Sequence, residues 1–204
     1  MICIVDYGTG NLGSIENMLH KLGETGIITS DRNKIAQADK LILPGVGRFD
    51  YGMGKLIESG LIEILDTKVI KDKIPILGIC LGAQLMTKSS EEGINSGLGW
   101  FDAQVKKFSF TEDKSYLRIP HMGWNFVTVK KQTPLIIDLP ENPRFYFVHS
   151  YYIESSNPSD IMLTTEYGSP FVSALNCDNI YAVQFHPEKS HKYGLKLFKN
   201  FLSL

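Results

Sequence analysis

The sequence predicts an α/β fold of three layers, a mostly parallel central sheet flanked by helices, with antiparallel β additions in the second half. Three observations carry this expectation. Short apolar runs alternate with helical periodicity through the first half of the chain. One run, Ile76 to Ile79, is apolar throughout if its glycine is counted, as a parallel strand buried on both faces must be. After Gly99 the texture changes to closely spaced β-rich segments with no clear linker, so residues 1–204 read as one domain.

Taken in order, Ile2 to Val5 is the first strand, and Leu12, Ile15, Leu19 and Leu22 share one face of the helix that follows. A second strand near Ile27 to Thr29 precedes Asp31, an N-cap residue for a short helix. Lys40 to Leu43 is a strand running into Pro44-Gly45-Val46-Gly47. Helical stretches follow around Met53 to Ile57 and Leu61 to Ile70. The apolar strand then ends at Cys80, and Leu81 to Met86 suits a helix. Later strands are expected around Gln104 to Phe108, Phe126 to Val129, Phe145 to Val148, Ile161 to Glu166, Phe171 to Asn176 and Tyr181 to Gln184. A closing helix runs from about Ser190 to Phe201.

With 21 Lys and Arg against 22 Asp and Glu, the net charge is −1, and no charge block stands out. Electrostatic wrapping of nucleic acid is excluded as an expectation, and 43% hydrophobic residues exclude disorder. A chain of 22.9 kDa buries about 70% of its unfolded surface, enough for one sizeable core. The N-terminus is apolar for only five residues before Asp6 and has no basic region ahead of it, so it reads as a strand and not an export signal. No run approaches the roughly 18 apolar residues of a membrane span, and a cytoplasmic protein is expected. Cys3, Cys80 and Cys177 are far apart with no CxxC pair, which argues against a disulfide framework or a thiol-rich zinc site.

Gly8-Thr9-Gly10-Asn11-Leu12-Gly13 fits the GxGxxG dinucleotide fingerprint, with Asp31 eighteen residues beyond Gly13. Asp6 argues against it, because its carboxylate would stand beside a pyrophosphate, and the same glycines suffice for a tight turn. Gly78-Ile79-Cys80-Leu81-Gly82 is a G-x-C-x-G placed where a strand should turn sharply into a helix, the thiol version of a nucleophile elbow. The helix N-terminus would favour a thiolate there. A lone cysteine at a strand end is more often a small core residue, but the flanking glycines favour the nucleophile.

A thiol nucleophile needs a base and a group to orient that base. His186 and Glu188, two apart in Phe185-His186-Pro187-Glu188, can point to the same side, although the same residues also suit a solvated turn. The Gly45-Val46-Gly47 backbone can turn an N–H toward a ligand, and Leu81 can supply a second, making an oxyanion hole from Val46, Gly47 and Leu81. A plain turn is the alternative.

The segments PGVG, GICLGAQ, IPHMGWN, YFVHSYY and VQFHPEKS occur in this order across nearly the whole chain. Together they resemble the class I glutamine amidotransferases, and DYGTGN at Asp6 to Asn11 draws the likeness toward the glutaminase subunits of histidine biosynthesis. The resemblance implies Cys80 as nucleophile, His186 as acid and base, and Glu188 as its orienting partner. It implies that glutamine is held by Gly45, Gln84, Glu92, His149, Ser150 and Tyr151, without metal or organic cofactor. It further implies a heterodimer with a (βα)8-barrel synthase subunit, to which ammonia passes away from bulk water, with Asn11, Trp124, Tyr146 and Lys189 at or near the interface. Two pathways are compatible: synthesis of imidazole glycerol phosphate and AICAR, or of amidino sugars of bacterial surface polysaccharide. Ala83 and Ala182 stand where the family often has Met and Gly, and neither change removes a functional group.

Overall fold

The computed structural model describes residues 1–204, and strand and helix alternate through the first half as the periodicity predicts. The first half comprises β1 (Ile2–Val5), α1 (Leu12–Lys21), β2 (Gly26–Thr29), α2 (Arg32–Ala36), β3 (Lys40–Gly45), α3 (Phe49–Glu58), α4 (Ile62–Asp66), β4 (Ile76–Cys80) and α5 (Leu81–Leu85). Asp31 caps α2 as expected, its carboxylate accepting the Asn33 N–H at 2.8 Å. The second half adds β5 (Ser89–Ser90), β6 (Ala103–Lys107), β7 (His121–Phe126), β8 (Thr128–Val129), β9 (Arg144–His149), β10 (Tyr151–Ser155), β11 (Ile161–Tyr167), β12 (Ser169–Cys177), β13 (Ile180–Val183) and α6 (His191–Leu202).

The main sheet runs in the order β2-β1-β3-β4-β13-β12-β10-β6-β5, with β11 also paired to β12 and β8 to β11. Pairing is parallel from β2 through β13 and turns antiparallel at β12. Apolar residues alternate between the faces of β1: Ile2 and Ile4 join α1 and α6 in one core, while Cys3 and Val5 join α3 and α5 in the other. Those two cores make the three layers. No helix is long and apolar enough to cross a membrane.

Three elements depart from expectation. The helix expected over Leu61 to Ile70 is α4 followed by a widened π turn, Thr67–Lys71; Thr67 Oγ1 donates back to the Glu63 carbonyl at 2.9 Å. The strand expected at Phe126 to Val129 begins earlier, at His121, and breaks at Val127. It forms with β9 a separate antiparallel ribbon in which His121 faces His149 and Trp124 faces Tyr146. Gly123 and Asn125 are poor strand formers, so pairing with β9, not local propensity, makes β7 a strand. β10 escapes the sequence pattern because it follows β9 after a single residue, Ser150.

Candidate functional site

The carboxyl ends of β3, β4 and β13 meet at one crevice, where open parallel sheets place their ligands. Cys80 closes β4 with φ +55° and ψ −110°, a strained backbone for a side-chain-bearing residue. The neighbouring glycines permit the turn by close approach. A Cβ on Gly82 would lie 1.8 Å from the Leu43 carbonyl oxygen, and one on Gly78 would lie 2.7 Å from the Met86 sulfur. α5 therefore packs directly onto β3, and its first residue, Leu81, follows the thiol. Gly45, paired with Cys80 across the sheet, is equally confined: a Cβ there would stand 2.8 Å from the Gly82 nitrogen.

On the other side of β4, the chain leaving β13 brings Gln184 beside the thiol, its Nε2 3.8 Å from Cys80 Sγ. Two residues on, His186 Nδ1 lies 2.7 Å from Glu188 Oε1, with both side chains only 2% exposed. The carboxylate fixes the proton on Nδ1 and leaves Nε2 buried without a hydrogen-bond partner, its lone pair free to act as a base. Burial pushes the His186 pKa down, but the Cys80 thiolate and the Glu188 carboxylate outweigh it, and the imidazolium is stabilised overall. The His186 backbone is also held: its N–H donates to the Tyr146 carbonyl at 2.8 Å, and Ser190 Oγ donates to the His186 carbonyl at 2.6 Å.

A cavity of about 320 Å3 opens at this point, a size suited to a small polar ligand. Cys80, Leu81, His186, Val46, Gly47, Gln84, Glu92, His149, Ser150, Tyr151 and Lys189 line it, all of them candidates from the sequence, together with Pro120 and Val148. Gly45 supports the floor and does not line the cavity; Glu188 stands behind His186. Glu92 Oε2 accepts the N–H of Phe49 at the start of α3, so a carboxylate from a distant loop occupies that helix end. Asp50 pins the same loop by accepting the N–H groups of Ile94 and Asn95 at 3.0 Å each. Gln84 donates through Nε2 to the Tyr151 carbonyl at 3.1 Å and to Gln184 Oε1 at 2.9 Å, which commits its amide nitrogen within the protein.

Trp124 and Tyr146 share the outer face of the β7–β9 ribbon with Met122, Phe126 and Val148. Trp124 stacks on His191 with Arg144 over its ring, and Lys189 lies over Tyr146. This face reaches the cavity through Val148 and Lys189. Asn11 occupies the N-cap position of α1, exposed and making no side-chain cap bond. The glycine fingerprint has a structural use: Asp6 Oδ1 accepts the Gly8 N–H at 3.0 Å, and Asp31 is spent on the α2 cap. Sequence reasoning missed Gln184, His121 and Tyr7, whose hydroxyl donates to the Pro44 carbonyl at 2.7 Å. Gln184 carried a signal, a polar residue within an apolar run that burial obliges to find partners.

A family-wide sequence model described as "Glutamine amidotransferase class-I" matches residues 3–204. A Methanococcus maripaludis protein named imidazole glycerol phosphate synthase subunit HisH 2 is 55% identical over 202 residues, covering 99% of this chain and 98% of its own. A Pseudomonas aeruginosa protein of the same name is 47% identical over the full length of both. Among solved structures, PurLQS from Thermotoga maritima shares the fold with a TM-score of 0.75 at 17% identity, covering 99% of this chain and 97% of that one.

Proposed function

Because the chain belongs to the class I glutamine amidotransferase family, we propose that it is the glutaminase subunit of an imidazole glycerol phosphate synthase, a single amidotransferase domain acting in the cytoplasm. It hydrolyses glutamine to glutamate and passes ammonia to a (βα)8-barrel subunit, which makes imidazole glycerol phosphate and AICAR in histidine biosynthesis. The observation that carries the chemistry is one cavity wall holding Cys80, at a strained strand–helix turn, with His186 backed by buried Glu188. The names of its relatives favour the histidine pathway over amidino-sugar synthesis.

In this reading the Cys80 thiolate attacks the side-chain amide carbon of glutamine. The N–H of Leu81 and one from Val46 or Gly47 hold the oxyanion, and His186 Nε2 delivers its proton to the departing ammonia. Neutral His186 then takes a proton from water, the resulting hydroxide equivalent attacks the glutamyl thioester, and the glutamyl group leaves as glutamate while the Cys80 thiolate and protonated His186 are restored. Glu188 holds the ring orientation through both halves. Gln84, Glu92 and the 149–151 wall receive the amino-acid end of the substrate. The outer ribbon face, with Trp124 and Tyr146, together with Lys189 and Asn11, meets the barrel.

The test is to recover the tagged chain from its native lysate with any barrel-sized partner and to assay glutamate release. Stimulation by the phosphoribulosyl formimino precursor, lost in Cys80→Ala, is expected. Stimulation only by a sugar-nucleotide substrate would transfer the chain to the other pathway, and normal release by Cys80→Ala would overturn the mechanism.

A further inference from the structure

We propose that His121 is a positioning residue for glutamine, acting through His149 to fix the Tyr151 carbonyl and the cavity wall around it. The inference rests on the glutaminase reading above and adds to it a residue that touches neither the cavity nor the reacting atoms.

His121 and His149 face one another at the end of the β7–β9 ribbon, with His121 Nδ1 3.0 Å from His149 Nε2. His149 Nδ1 lies 2.7 Å from the Tyr151 carbonyl oxygen, which can only accept, so the proton is on His149 Nδ1. His149 Nε2 must then accept, and His121 Nδ1 must donate to it. The other end of the chain fixes the same direction. Asn125 Oδ1 accepts the Phe126 N–H at 2.8 Å, while Asn125 Nδ2 donates to the Glu166 carbonyl at 2.9 Å and lies 3.2 Å from His121 Nε2. The amide cannot be reversed without losing both backbone bonds. Donors thus run one way, from Asn125 through His121 and His149 to Tyr151.

The surroundings hold His121 in place. Its ring is stacked between Phe147, centroid 4.8 Å away, and Tyr167, 4.0 Å away. Tyr167 in turn donates from its hydroxyl to the Arg118 carbonyl. The Tyr151 carbonyl where the chain ends also accepts from Gln84 Nε2, and the same nitrogen donates to Gln184, whose own amide approaches Cys80. His149, Ser150 and Tyr151 form a continuous stretch of the cavity lining. Removing His121 leaves His149 Nε2 a buried acceptor with no donor, which frees the ring to change tautomer or rotate and releases one of the two donors on Tyr151. Such a loss weakens ground state and transition state alike, so it falls on KM.

The test compares wild type, His121→Phe and His121→Gln, each as the complex with its barrel subunit. Phenylalanine keeps the stacked ring and removes the hydrogen bonds; glutamine restores a donor. His121→Phe is expected to raise the KM for glutamine about tenfold with kcat within about threefold, and His121→Gln to recover part of the loss. Nitrogen-15 NMR of His149 in the chain should show the Nδ1–H tautomer in wild type and a tautomer mixture in His121→Phe. An unchanged KM with an unchanged His149 tautomer would overturn the proposal, as would a loss confined to kcat. Should His121→Phe fail to fold, Asn125→Leu breaks the chain at its outer end and is held to the same expectations. Absence of glutamine hydrolysis in wild type would instead overturn the glutaminase reading, and the NMR tautomer would still decide the His121 geometry.

Discussion

Replacing Glu188 by Gln keeps the shape behind His186 and removes one charge. Nδ1 and Oε1 are 2.7 Å apart and almost completely buried. With charge centres about 4 Å apart and an effective dielectric of about 20, the carboxylate supports the imidazolium by about 4 kcal/mol. If half survives relaxation, about 2 kcal/mol of support is lost and the His186 pKa moves down toward its ordinary value. The amide adds a second fault, because it can present N–H to Nδ1 and favour the tautomer protonated on Nε2, with no base facing the thiol. Loss of the orienting carboxylate in a comparable triad costs about 10⁴-fold, so kcat for glutamate release should fall on the order of 10³- to 10⁴-fold. Stability should respond with a defined sign. The folded pKa of His186 is raised above its usual 6.5, so its contribution is fully present below 6.5 and is lost as pH rises through the folded value. The stability deficit of Glu188→Gln should therefore be largest at and below pH 6.5 and shrink as pH rises. The assays are glutamate release by the complex and a denaturant midpoint series across pH. A kcat within threefold of wild type, with an unmoved His186 titration, would show that Glu188 neither orients nor charges the imidazole.

Glycines of the two motifs should respond oppositely. Gly82→Ala, whose Cβ would meet the Leu43 oxygen at 1.8 Å, should destabilise by about 3 kcal/mol or more and abolish Cys80 labelling by a glutamine-derived chloroketone. Gly13→Ala, with open space around its Cβ on α1, should raise Tm by about 2–4 °C without changing glutaminase activity, measured by thermal unfolding and glutamate release. Burial lowers the pKa of His121 to about 4 and of His149 to about 3, so both stay neutral in the fold while the unfolded chain protonates near 6.5. Their contribution is full above pH 6.5 and is lost as pH falls toward the folded values, by up to about 3 kcal/mol for His121 and about 5 for His149; urea midpoints should drop from pH 7 to pH 5, and less so in His121→Phe. Trp124, 42% exposed and held by His191 and Arg144, should act as an anchor for the partner. Trp124→Ala is expected to weaken binding of the barrel subunit by about 2 kcal/mol in calorimetry while leaving the isolated chain's Tm unchanged.

The candidate residues that the structure brings together are those whose local pattern carries their physical reason. Cys80 was announced by the glycines that let α5 approach β3, and His186 and Glu188 by a two-residue spacing that puts both on one side. The parallel half of the sheet was legible because strands buried on both faces are apolar throughout. The rest is encoded in pairings between distant segments. Gln84 meets Gln184 one hundred residues away, and His121 meets His149 only because β7 and β9 pair in one register. No local spacing specifies either. The GxGxxG segment shows the converse: the pattern marks where glycines are needed, while the Gly8 N–H is already taken by Asp6. The helix after Cys80 is also shorter than a dipole argument would like, five residues long, so the N–H groups of its first turn matter more than its length.

A covalent glutamyl group on Cys80 is the intermediate on which the chemistry turns, and intact-protein mass spectrometry of the complex, quenched with acid during steady-state turnover of glutamine, detects it. One glutamyl adduct per chain is expected, mapped by peptide digestion to Cys80, absent from Cys80→Ala and accumulating in variants slowed in thioester hydrolysis. A fully active complex with an adduct on Cys3 or Cys177 would rule this intermediate out, as would undiminished turnover in Cys80→Ala.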